Sequence, residues 1–137
     1  MTLQLGMVIL DVSDLERSIG FYRLLGLDVP DPFPDRPAAL HTMESGVSIV
    51  FVQGFASSVD PGWVRPEGYQ QALEFYVGDD AAVDEMWDRL TAAGYHGRMA
   101  PARPTGIYAA LVDDPDGNVV LISSDPEASP GPEVSAN

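Results

Sequence analysis

A turn that occurs twice constrains this chain more than any other feature. Near the C-terminal end, Asp113-Asp114-Pro115-Asp116-Gly117-Asn118 separates Gly106 to Val112 from Val119-Val120-Leu121-Ile122-Ser123. Pro, Asp, Gly and Asn favour turns and the flanking runs favour strands, so the stretch reads as a β-hairpin. In the first half Glu44-Ser45-Gly46 separates Ala38 to Met43 from Val47-Ser48-Ile49-Val50-Phe51-Val52, and Gly46 can be laid on Gly117. One such pattern in each half reads as two copies of a single unit.

What precedes each hairpin repeats as well. Leu5 to Val12 reads as a strand, with Val8, Leu10 and Val12 on one face and Met7, Ile9 and Asp11 on the other. Ser13 stands three residues before Glu16, the spacing of a capping box, and Leu15, Ile19, Tyr22 and Leu25 then recur at helical spacing until Gly26. Leu27 to Val29 reads as a short strand before a proline-rich connection. In the second half Tyr69 to Val77 is a strand with Leu73, Phe75 and Val77 on one face and Ala72, Glu74 and Tyr76 on the other. Asp79-Asp80 starts a helix through Val83, Met86, Trp87 and Leu90 that ends at Gly94, and Tyr95 to Met99 is a short strand.

Strand, helix and three strands thus occur twice. The order predicts an α+β domain over residues 1–124, made of two βαβββ units at about 4–53 and 69–124, with a linker at 54–68. Their strands are expected to form a curved, cup-shaped mixed sheet with the helices on its outer face. Residues 125–137, rich in Pro, Ser, Gly and Glu, read as a disordered tail.

Composition narrows the function. No apolar run approaches the roughly 20 residues that span a bilayer, and the N-terminus lacks the basic start and apolar core of a secretory signal, so the expected location is the cytoplasm. The absence of cysteine removes disulfides, thiolate catalysis and Cys-ligated zinc. A net charge of −14, from 21 acids against 7 bases, argues against a nucleic-acid partner and admits a cationic ligand; it also serves simply to keep the surface solvated. There is no nucleophile elbow, phosphate-binding glycine loop or dinucleotide fingerprint. Asp-Pro-Asp-Gly-Asn lacks the alternating ligands and closing glutamate of a calcium loop.

Val12-Ser13-Asp14-Leu15-Glu16-Arg17-Ser18, Phe21-Tyr22, Leu25-Gly26-Leu27 and Asp114-Pro115-Asp116-Gly117-Asn118, in this order and with the internal repeat, resemble the vicinal oxygen chelate superfamily. That superfamily holds glyoxalase I, extradiol dioxygenases, fosfomycin-resistance transferases and bleomycin-resistance proteins, and the resemblance covers Leu5 to Ser124. It implies the fold and leaves the reaction open. It also implies, in the enzymes, a divalent metal held by His, Glu or Gln from the first and last strands of each unit. Carried over position by position, those ligands fall on Met7, Val50, Ala72 and Leu121. Met, Val, Ala and Leu offer no oxygen or nitrogen donor, so the resemblance leads to an expectation of no metal and no other cofactor. A slip of one or two residues would bring in Glu74 and Glu44 instead.

The polar and aromatic candidates are fewer. His41 lies in a strand, either lining the cup as a general base or serving the structure. Glu74 shares the face of Ala72, away from the helix; it either binds a cation or pairs with Arg98 or Arg103. Asp11 faces the same way, and Asp11 with Glu74 would bracket a positive group. Trp63 and Tyr69, with Phe33 and Phe55, fall in or beside irregular segments and suit stacking on a planar or cationic ligand. Two classes of function remain open. One is a metal-free binding protein of the bleomycin-resistance type that sequesters an aromatic or cationic small molecule such as an antibiotic, with Met7, Asp11, Val50, Trp63, Tyr69, Ala72, Glu74 and Leu121 as its lining. The other is a glyoxalase- or dioxygenase-like enzyme that uses an off-register metal or an acid-base residue, His41 or Glu74. A homodimer is expected in either case, with no nucleic-acid or membrane partner.

Overall fold

The computed structural model describes residues 2–69, 71–104 and 106–125. Apart from Asp125, the tail expected at 125–137 lies outside them. The chain divides into two compact units, one ending at Pro66 and the other beginning at Glu67. Each is a sheet with a helix on one face, which makes the fold α+β.

The first unit runs β1 (Met7–Val12), α1 (Leu15–Leu25), β2 (Ala38–Thr42), β3 (Ser48–Gln53) and α2 (Phe55–Val59), and its sheet has the order β1-β3-β2. β1 lies parallel to β3 with Met7 beside Ser48, and β2 lies antiparallel to β3 with Ala38 beside Val52. α1 is capped by Asp14, whose Oδ1 accepts the Arg17 N–H at 3.2 Å, one residue later than the expected Ser13. Its buried side is aromatic: Phe21 meets Tyr22 edge-on at 4.9 Å, and Tyr22 packs on Phe51 of β3 at 4.8 Å. Each ring pair adds about 0.5–1.5 kcal/mol beyond the area it buries.

The second unit runs β4 (Ala72–Val77), α3 (Asp80–Ala92), β5 (Gly97–Ala102), β6 (Ala109–Asp113) and β7 (Val119–Ser124), in the sheet order β4-β7-β6-β5. Here β4 is parallel to β7, with Ala72 beside Val119, and β6 is antiparallel to β7, with Ala109 beside Ser123. α3 is capped by Asp79, which accepts the Ala82 N–H at 2.9 Å.

The registers make the repeat explicit. β1 and β3 correspond residue for residue to β4 and β7, so Met7 matches Ala72, Ile9 matches Glu74, Asp11 matches Tyr76 and Val50 matches Leu121. Ala38-Ala39-Leu40 matches Ala109-Ala110-Leu111. The turns match as well. Met43 N–H bonds Val47 O at 2.8 Å and Gly46 N–H bonds Met43 O at 2.9 Å; Asp114 N–H bonds Asn118 O at 2.9 Å and Gly117 N–H bonds Asp114 O at 3.0 Å. Gly46 and Gly117 both hold positive φ, 98° and 86°, which side-chain-bearing residues resist.

Two expectations are corrected. Leu27 to Val29 is not a strand, so the first unit has three strands where four were expected. Its carbonyls are held by side chains instead: Arg23 Nε–H donates to Val29 O at 2.8 Å and His41 Nδ1–H to Asp28 O at 3.2 Å. Pro30, Pro32 and Pro34 follow, and their missing N–H groups deny the segment every second ladder donor. In the second unit the matching connection does form β5, an edge strand with irregular pairing to β6. The expected linker at 54–68, in turn, contains α2, which is too short to show a helical period in the sequence.

Candidate functional site

In each unit the face of the sheet away from the helix carries the candidate positions. In the first unit, Met7, Ile9 and Asp11 of β1 share that face with Val50 of β3, because Val8, Leu10 and Val12 turn toward α1. Met7 and Ile9 are each 45 % exposed, an unusual state for apolar strand residues, while Val50 is buried. Asp11 closes the row and is fully engaged. Its Oδ1 accepts the Ala56 N–H at 2.9 Å, and its Oδ2 accepts from Arg65 Nη2 at 2.7 Å. The Arg65 guanidinium also lies 5.2 Å from the centre of the Trp63 ring. Asp11, Arg65 and Trp63 thus form one internal clamp that fastens α2 and the segment after it to β1.

In the second unit the same face carries Ala72, Glu74 and Tyr76 of β4 with Leu121 and Ser123 of β7. Glu74 stands directly opposite Leu121, and its Oε2 accepts from the buried Ser123 hydroxyl at 2.7 Å. It pairs with neither of the arginines expected for it. Arg98 makes a two-pronged ion pair with Asp113 at 2.7 and 2.8 Å, and Arg103 is held by Asp80. Its hydrogen bond to the Asp113 carboxylate raises the Arg98 guanidinium above its ordinary value, with the Asp113 and Tyr69 charges acting the same way and burial opposing. Arg98 also covers the Tyr69 ring, 5.3 Å from its centre.

The structure therefore sorts the expected residues. Met7 and Val50 share one face of the first unit; Ala72, Glu74 and Leu121 share one face of the second. Trp63 and Tyr69 already carry the chain's own guanidinium groups on their rings, and Phe33 carries Arg36 at 4.2 Å. His41 is on the other side: it pairs with Ile49, matches the fully buried Val112, and points to the face that α1 and the Leu27–Val29 segment cover. The general-base expectation for His41 is corrected on that ground. Sequence reasoning overlooked Ser123 and passed over Tyr76, although the two-residue period that places Glu74 also places Tyr76, which is 60 % exposed.

No oxygen or nitrogen donor stands at Met7, Val50, Ala72 or Leu121, and among the described residues no three His, Cys, Asp or Glu side chains gather in a way that could hold a metal ion. Glu44, the off-register alternative, lies in the exposed hairpin turn. A cleft of about 380 Å³ opens elsewhere, between α1 and the proline-rich connection, lined by Glu16, Ile19, Gly20, Arg23, Asp31 and Pro32. It holds none of the candidate residues, and its one cation is already paired with Asp31. Among the described residues no helix is long and apolar enough to cross a membrane.

The profile of the Glyoxalase/Bleomycin resistance protein/Dioxygenase superfamily matches residues 4–122, and the chain belongs to that superfamily. Solved structures agree on the fold. A hypothetical protein, SA1046, from S. aureus superposes with a TM-score of 0.78 at 21% identity, over 91% of this chain and 95% of that one. A glyoxalase-related enzyme from Fulvimarina pelagi gives 0.76 at 24% identity, over 91% and 90%. Lactoylglutathione lyase from Agrobacterium tumefaciens gives 0.64 at 24% identity, over 88% and 92%. No curated protein matches the sequence.

Proposed function

We propose that this chain is a metal-free small-molecule-binding protein of the bleomycin-resistance type, which takes a ligand with an apolar or aromatic body and a positive charge. One observation carries the reading. Met7 shares a face with Val50, and Ala72 shares the matching face with Leu121, so the positions where the superfamily's enzymes are expected to hold a metal are apolar in both units. Apolar side chains on the face turned away from α1 or α3 suit the body of a ligand, which gains about 25 cal/mol for each Å² removed from water. Among the described residues Glu74 is the carboxylate on such a face that no arginine neutralises, and the net charge of −14 favours approach of a cation.

The test is elemental analysis of protein purified without chelator, paired with native mass spectrometry of the same sample. The expected outcome is far less than one transition-metal ion per chain and a shifted mass on exposure to bleomycin or to a smaller aromatic cation. Zinc, nickel, manganese or iron near one per chain, with turnover of lactoylglutathione, would overturn the reading in favour of an enzyme.

A further inference from the structure

Glu74 and Ser123 form a polar pair where the first unit has an apolar one. The registers match Glu74 to Ile9 and Ser123 to Val52, so the second unit replaces two aliphatic side chains by a carboxylate and a hydroxyl on the same face. Ser123 is completely buried and spends its hydroxyl proton on Glu74 Oε2 at 2.7 Å. That bond limits the rotation of the carboxylate and leaves Oε1, which has no hydrogen-bond partner among the described residues, as an acceptor on an open face. Leu121 stands opposite and Tyr76 two residues along, so the free oxygen has apolar surface beside it.

The chemistry of that oxygen differs from the chemistry of an aromatic cage. Quaternary ammonium groups are recognised by several ring faces, because they have no N–H to donate. In this unit the Tyr69 ring is already covered by Arg98, which Asp113 holds in place with two hydrogen bonds. A carboxylate oxygen aimed outward from a fixed side chain instead rewards a donor, and a hydrogen bond between charged groups is about twice as strong as one between neutral groups. Resting on the binding function proposed above, we infer that Glu74 selects cations that carry an N–H, a protonated primary or secondary amine on an apolar body, and that Ser123 is the positioning residue for Glu74.

Three matched probes test this: 2-(2-naphthyl)ethylamine, its N,N,N-trimethyl derivative and the neutral 2-(2-naphthyl)ethanol, titrated by NMR into the full chain and into Glu74→Gln, Ser123→Ala and Ser123→Thr. The amine should bind roughly tenfold more tightly than the trimethyl derivative, a difference of one charge-assisted hydrogen bond. Glu74→Gln should remove that preference while weakening the alcohol, whose O–H carries no charge, much less than the amine. Ser123→Ala should reduce the preference several-fold and Ser123→Thr should restore it, a rescue that a merely structural serine would not give. Equal affinity for the amine and the trimethyl derivative, or equal losses for all three probes in Glu74→Gln, would overturn the inference while the binding reading stands. Absence of binding by all three would overturn both.

Discussion

The two units close their hairpins with one backbone and two kinds of side chain. In the second, Asp114 is buried and gathers the turn around its carboxylate: Oδ1 accepts from the backbone of Asp116 and Asn118, each at 2.9 Å, and Oδ2 accepts from the Asn118 side chain at 2.9 Å. In the first, Met43 occupies the matching place, and the side-chain support is a long 3.4 Å bond from Val47 N–H to the Ser45 hydroxyl. The path of a tight turn is thus a property of the fold, met in both units by a glycine at positive φ, whereas its strength is local and rests on one residue. The cores divide likewise. Phe51 and Ile122 occupy matching positions on β3 and β7 and both are fully buried, but Phe51 joins an aromatic trio while Ile122 is an aliphatic side chain set between Phe75 of β4 and Ala110 of β6 in the register.

That contrast can be broken most decisively at the cores. Phe51→Ala should cost about 3–5 kcal/mol and Ile122→Ala about 2–5, because both leave a cavity and the phenyl ring also loses its ring contacts. Urea unfolding followed by circular dichroism would measure both, and a smaller loss for Phe51→Ala than for Ile122→Ala would show that the aromatic trio is not what anchors the first unit.

The turns come next in size. Asp114→Ala removes the acceptor of two backbone N–H groups and should cost about 1–3 kcal/mol. Met43→Ala removes no hydrogen bond and should stay within about 0.5 kcal/mol. Thermal unfolding of the two variants checks this, and equal shifts in Tm would mean that the backbone alone holds both turns.

How much of this was legible in the sequence follows from the range of the interactions involved. Gly46 and Gly117 were legible because a turn is encoded in adjacent residues, and the face of Glu74 was legible because a strand alternates with period two. His41 was not, since its side is fixed by its register against Ile49, which no local period reveals. The rings of Trp63 and Tyr69 looked free for a ligand because the partners that cover them are set by folding: Arg98 lies far along the chain from Tyr69, and Arg65 is aimed by Asp11 of a distant strand. Ser123 escaped notice for the same reason, as its role appears only when β4 lies beside β7. The missing strand at Leu27 to Val29 was a conflict within the local signal itself, where the prolines prevailed over the apolar run.

The smallest expected effect separates the units by pH. The Tyr108 hydroxyl donates to Asp84 at 2.6 Å, and that hydrogen bond raises the phenol above its ordinary value of 10.0; burial and the charges of Asp84 and Asp80 add to it, and Arg103 opposes. A phenol raised on folding stabilises the folded state fully below its unfolded value, and the stabilisation is lost as pH rises through the folded value. Tyr108→Phe should therefore be slightly less stable than the parent at neutral pH, and the gap should vanish above pH ~10. The first unit has Pro37 at the matching place, whose carbonyl accepts Gln53 N–H at 2.9 Å as that of Tyr108 accepts Ser124 N–H at 3.0 Å, so no such titration arises there. Equilibrium unfolding of both proteins across pH 7 to 11 would decide it, a constant gap being the contrary result.

Trp87 of α3 reaches down to β5 and fills the space where a side chain on Gly97 would begin: a Cβ there would stand 2.2 Å from the tip of its ring. The chain has only two tryptophans, and they fall one to each unit, Trp63 in the first and Trp87 in the second. Excited separately by single Trp→Phe replacements, each indole becomes a lamp for its own half. The emission of Trp87 should move to the red only when α3 lifts from β5, and that of Trp63 should respond to the Arg65 clamp. The order in which the two colours change on denaturation would reveal whether a duplicated fold melts as one body or as two.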